Sequence, residues 1–124
     1  MAKKKEVKVS EILSDVVIKG LQELKGENIV SVDLSNIENA ICGNFIICTG
    51  TSSTHVSALA GSAEKEVKTT LNEKPWKREG FGNSEWVILD YVNTVVHVFQ
   101  KEARNFYNLD GLWADAKITK IEDQ

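Results

Sequence analysis

The chain has 124 residues, 42% of them apolar and 27% charged, proportions that describe one compact domain with a single core. Its longest apolar runs, such as Phe45-Ile46-Ile47-Cys48 and Trp86-Val87-Ile88-Leu89, fall far below the roughly 20 residues of a bilayer span, which excludes a membrane-spanning helix. With 15 Lys and Arg against 18 Asp and Glu the net charge is −3, which argues against direct readout of a phosphate backbone and for docking on a basic protein.

The chain opens on Met1-Ala2-Lys3-Lys4-Lys5, but Glu6, Lys8 and Glu11 follow and no apolar secretion core appears, so residues 1–9 read as a flexible basic N-terminus of a cytoplasmic protein. From Ser10, Ile12, Leu13, Val16, Val17, Leu21 and Leu24 recur every three or four positions, and Gly26 follows; this predicts an amphipathic helix ending near Lys25. Between Asn28 and Leu34, Val30, Val32 and Leu34 alternate with Ser31 and Asp33, the pattern of a half-buried strand. A loop with a turn at Gly43 leads to Phe45-Ile46-Ile47-Cys48-Thr49, apolar enough for a central strand covered on both faces.

Gly50-Thr51-Ser52-Ser53 then joins this strand to a second helix, whose apolar positions are Val56, Leu59, Ala60, Ala63, Val67 and Leu71. Ser52 or Ser53 supplies the N-cap, and Pro75 blocks continuation. Short strands follow at Trp76 to Glu79, Trp86 to Tyr91 and Thr94 to Phe99, then a short helix and coil over Glu102 to Trp113, and a polar tail. The predicted order is α-β-β-α-β-β-β-α: a single α/β domain over residues 10–117 with a mixed sheet flanked by helices, and a polar tail at 118–124.

Cys42 and Cys48 are the only cysteines, and the strand between them holds them up to about 20 Å apart, which disfavours a mutual disulfide. Together with His55 and His97 they offer no short paired spacing, so no metal site is expected. Gly50-Thr51-Ser52-Ser53 lacks both the Gly-Lys-Ser/Thr of a P-loop and the three-glycine dinucleotide fingerprint, and no carboxylate stands two residues from Asp90 to share an ion. No cofactor and no catalytic residue is expected. The alternative is a small nucleotide-binding or nucleotidyl-transferring enzyme using Thr51, Ser52, Asp90 and His97.

Eight of the nine aromatics lie in residues 76–113. With Val92-Asn93 as a two-residue hairpin turn, Trp86 pairs with Phe99, Ile88 with His97 and Asp90 with Val95 on one face, while Val87, Leu89, Val96 and Val98 form the other and Tyr91 pairs with Thr94 at the turn. The all-apolar face suits the core. The mixed face, with Trp86, Asp90, His97 and Phe99, is either a half-exposed recognition surface or a face covered by the C-terminal helix.

The segments Ile47-Cys48-Thr49-Gly50-Thr51-Ser52-Ser53 with His55-Val56, Trp86-Val87-Ile88-Leu89-Asp90-Tyr91, Val95-Val96-His97-Val98-Phe99 and Arg104-Asn105-Phe106-Tyr107-Asn108-Leu109-Asp110-Gly111-Leu112-Trp113 resemble, in order and spacing, the ribosomal silencing factor family, also called Iojap-related or RsfS. The resemblance implies a nucleotidyltransferase-like fold without catalysis. It also implies binding to a protein on the intersubunit face of the large ribosomal subunit (large-subunit protein fourteen), a steric block to joining of the small subunit, and repression of translation. It carries contact residues over to Trp86 and Tyr91, with Asp90 and Asn93 adjacent; His97 and Phe99 complete the protein-binding set expected from the mixed face. It allows a homodimer, and a homodimeric scaffold is a further alternative. Where the family has Gly-Asp after the tyrosine, this chain has Val92-Asn93, which changes the turn.

Overall fold

The computed structural model describes residues 2–40, 42–113 and 115–122. Its elements are α1 (Ala2–Glu23), β1 (Glu27–Asp33), β2 (Asn44–Gly50), α2 (Ser53–Leu71), β3 (Lys77–Glu79), β4 (Trp86–Asp90), β5 (Thr94–Gln100), α3 (Lys101–Tyr107), α4 (Leu109–Leu112) and β6 (Lys117–Lys120). The six strands form one mixed sheet in the order β3-β4-β5-β2-β1-β6, in which only β2 and β5 run parallel. β2 is buried from Phe45 through Gly50, as its unbroken apolar run predicts for a strand covered on both faces.

One face lies under the two long helices. Leu13, Val17 and Leu21 of α1 and Val56, Leu59, Ala60, Ala63 and Val67 of α2 pack with Ile46, Cys48, Val87, Leu89, Val96 and Val98 of the sheet. The helices approach closely because Gly20 has no side chain: a Cβ there would stand 2.8 Å from the Ala63 Cα and 2.9 Å from the Ser62 carbonyl oxygen. Ser62 Oγ donates to the Gly20 carbonyl at 2.7 Å across the same contact. The opposite face packs Val30, Val32, Leu34, Phe45, Ile47, Val95 and Phe99 under the short α3 and α4.

Helix ends differ from expectation for identifiable reasons. At the end of α1, Lys25 rather than Gly26 takes the left-handed conformation (φ 57°), with Lys25 N–H donating to Gln22 and Gly26 N–H to Leu21, a Schellman closure. Gly26 is needed for space, since a Cβ there would meet Cys48 Sγ. α2 starts at the predicted cap, Ser52 Oγ accepting from His55 N–H at 3.1 Å, but ends at Asn72 (φ 54°), whose N–H donates to Lys68, before Pro75 is reached.

The ordered elements also run past the expected limits of the domain. α1 begins at Ala2, not at Ser10, so the described part of the basic segment continues the helix whose downstream turns are anchored in the core. β6 crosses from the expected domain end at Lys117 into the expected tail, and pairs with β1 in the register Val30↔Lys120 to Asp33↔Lys117. β6 has no buried residue, so its sequence carries no alternation of apolar and polar positions to betray it.

Candidate functional site

The candidate site is the rim of the second face. β4 and β5 pair in the predicted register, Trp86↔Phe99, Ile88↔His97 and Asp90↔Val95, which sets these side chains on one side of the sheet. α3 and α4 cover the middle of that side, burying Phe99, His97 and Phe45, while Trp86, Ile88 and Asp90 on β4 stay half-buried. The two readings of the mixed face thus divide between strands: β5 is covered and β4 is open.

Trp86 is held from three directions. Its indole N–H donates to His97 Nδ1 at 3.1 Å, its ring stacks on Phe99 at 4.9 Å, and Tyr107 of α3 leans on it at 4.7 Å. An indole nitrogen only donates, so His97 Nδ1 is the acceptor and its proton sits on Nε2. Burial pulls the His97 pKa down from 6.5 to about 4, which keeps the ring neutral and the acceptor in place at neutral pH. Phe45 packs edge-on to His97 at 4.7 Å and closes the ring in.

The helical cap adds apolar surface. Phe106 is 81% exposed and meets Tyr107 edge-on at 5.1 Å, and Leu112 of α4 also faces outward. Arg104 fixes the cap to the sheet: its guanidinium donates to the Asn28 carbonyl at 2.6 Å, to Thr49 Oγ1 at 2.8 Å, and through two nitrogens to the Asp110 carboxylate, the shorter bond 2.9 Å. The spacing of the aromatics in this segment fits core packing as well as an interface. The sequence does not separate the two, because Ala103, Leu109 and Trp113 from the same segment pack inward.

The predicted site residues therefore separate. Trp86 and Asp90 reach the rim, and Asn93 is exposed at the hairpin tip. His97 and Phe99, expected as contacts, are buried and act by positioning Trp86. Tyr91, also expected as a contact, lies in the opposite core beneath the long helices, where burial pushes its phenol pKa up. No bend at the tip brings Tyr91 to the Trp86 side. Asp90 Oδ1 accepts from Val92 N–H at 2.7 Å, so this carboxylate also organises the turn.

The remaining reactive groups have structural roles. Burial raises Cys42 to about 11 and Cys48 to about 12, leaving both as thiols at neutral pH; they lie in the clusters on opposite sides of the sheet. His55 Nδ1 accepts from Thr51 N–H at 2.9 Å, and its Nε2 donates to the Leu24 carbonyl at 2.7 Å, strapping the start of α2 to the end of α1. Among the described residues, no group of three His, Cys, Asp or Glu side chains converges as metal ligands would.

Comparison with known proteins agrees with this architecture. Residues 7–124 match the family described as "Ribosomal silencing factor during starvation". Among curated relatives, the ribosomal silencing factor RsfS of Haemophilus influenzae is 38% identical over 102 residues, covering 82% of this chain and 98% of its own length. That of Bacillus subtilis is 36% identical over 101 residues, covering 79% and 81%. The mitochondrial Iojap-related protein of Arabidopsis thaliana is 32% identical over 94% of this chain and 65% of its own length. A crystal structure of a Chromobacterium violaceum protein superposes with a TM-score of 0.78 at 31% identity, covering 83% of this chain and 84% of that one.

Proposed function

The chain belongs to the ribosomal silencing factor family, and from that premise we propose that it docks on a protein of the large ribosomal subunit, at the intersubunit face, and blocks joining of the small subunit. Translation is then repressed by steric exclusion in the cytoplasm, without a catalytic step. Large-subunit protein fourteen is the proposed partner. The observation that carries this reading is the Trp86 rim, where a half-buried indole locked by His97, Phe99 and Tyr107 continues into exposed Phe106. A preorganised aromatic anchor beside open apolar surface is what a protein interface uses as its energetic centre. Asp90 and Asn93 supply the polar edge, and the net charge of −3 favours approach to a basic ribosomal protein.

Sedimentation of purified large and small subunits at associating magnesium, with and without excess protein, tests the reading. The joined-particle peak is expected to fall while the protein travels with the large subunit. Trp86→Ala, if folded, is expected to weaken that association by about 30- to 1000-fold, the effect of removing a central anchor. Undiminished joining, or equal binding by folded Trp86→Ala, refutes the block or the anchor respectively.

A further inference from the structure

The tip of the β4–β5 hairpin carries an unusual residue for its conformation. Val92 has φ 75°, and Asn93 N–H donates to the Tyr91 carbonyl at 3.0 Å, the closure of a γ-turn of the positive-φ kind. A β-branched side chain at positive φ is a true outlier, and such strain persists only where neighbouring bonds enforce it. They do so here. Asp90 Oδ1 accepts from Val92 N–H, Tyr91 N–H donates to the Thr94 carbonyl at 2.9 Å, and the Asn93 carbonyl accepts from both Gly43 N–H at 2.8 Å and Asn44 N–H at 3.0 Å.

The side chain so presented is 59% exposed, so packing within the fold does little to offset the strain. Trp76, just before β3, donates its N–H to the Asp90 carbonyl at 2.8 Å and is 77% exposed. The tip is thus a rigid mount for an apolar knob, with a second exposed apolar residue bonded to Asp90, two residues before it. An isopropyl group has no hydrogen bond to give, and Asp90 at its base repels phosphate, so its complement is an apolar hollow on a protein rather than ribosomal RNA.

Resting on the large-subunit docking proposed above, we infer that Val92 is a specificity contact of this chain, seated in an apolar hollow of the same ribosomal protein that receives Trp86. Two variants separate the side chain from the turn. Val92→Ala removes the knob and keeps a Cβ that restrains the backbone; Val92→Gly removes it and relieves the strain. Both are expected to bind purified large subunits about tenfold more weakly than wild type, and Val92→Gly is expected to melt at a higher temperature. A Val92→Gly protein that melts higher and binds as tightly as wild type overturns the inference. Loss of binding confined to Val92→Gly also overturns it, assigning the effect to tip rigidity. Wild-type protein that does not travel with the large subunit overturns the docking itself and this contact with it.

Discussion

Acidification is expected to act on the core of this protein through His97. The ring is 5% exposed, and its pKa falls from 6.5 to about 4 because burial disfavours the charged form. Above pH 6.5 the ring is neutral in both folded and unfolded chains and contributes no pH dependence. Below that value the unfolded chain binds a proton that the folded chain refuses, so stability falls as pH drops, by up to about 1.4 kcal/mol per pH unit, until the folded ring titrates near pH 4. The whole window is worth about 3 kcal/mol, a large fraction of the about 5–15 kcal/mol that stabilises a domain. Protonation also places an N–H on Nδ1, against the Trp86 N–H that it had accepted, so the indole loses this hydrogen bond as well. The comparison is with His97→Asn, whose amide oxygen can replace Nδ1 as acceptor but does not titrate. Urea unfolding followed by tryptophan fluorescence from pH 7 to pH 4 is expected to show wild type losing about 3 kcal/mol relative to the variant. Parallel stability curves for the two proteins would refute the argument, because carboxylates and His55 are common to both.

Three other perturbations probe the supports of the fold and site. Gly20→Val is expected to cost about 1–3 kcal/mol in chemical unfolding, because the added carbons meet α2 backbone that cannot move without parting the helices. Arg104→Lys is expected to lower stability by about 2 kcal/mol and to raise amide exchange in α3 and α4; the figure is below the about 3–5 kcal/mol of a fully buried pair because Asp110 is 30% exposed. Unchanged exchange there would show that apolar packing alone holds the cap. Ser52→Ala should cost about 1 kcal/mol by removing the acceptor for His55 N–H at the start of α2, read as a lower urea midpoint with unchanged slope.

Much of the architecture is legible in the residues alone. The spacing of Leu13, Val17 and Leu21 and the apolar run Phe45 to Cys48 are local periodicities, and burial obeys them because a helix or strand has only one way to turn such a pattern toward a core. The register of Trp86 with Phe99 follows from Val92-Asn93 as the turn, since the alternation of strand side chains leaves no freedom once the turn is placed. The same parity sets Trp86 and Tyr91 on opposite faces, and the fold keeps them there.

What the tertiary structure alone decides is which of these faces is open. α3 and α4 lie across β5 and reach β4 through Tyr107 against Trp86, so His97 and Phe99 become supports and Trp86 a rim, a distinction set by where Arg104 pins the helical cap through partners as distant in sequence as Asn28 and Thr49. The outward turn of Phe106 depends on that docking too, because Ala103, Phe106 and Tyr107 share one i, i+3, i+4 stripe of α3 whose spacing alone predicts that all three face the core. β6 is found only through its hydrogen bonds to β1, which depend on chain proximity and carry no side-chain code. The left-handed γ-turn at Val92 runs against the residue's own preference, and is imposed by Asp90, Gly43 and Asn44 once the hairpin has met β2.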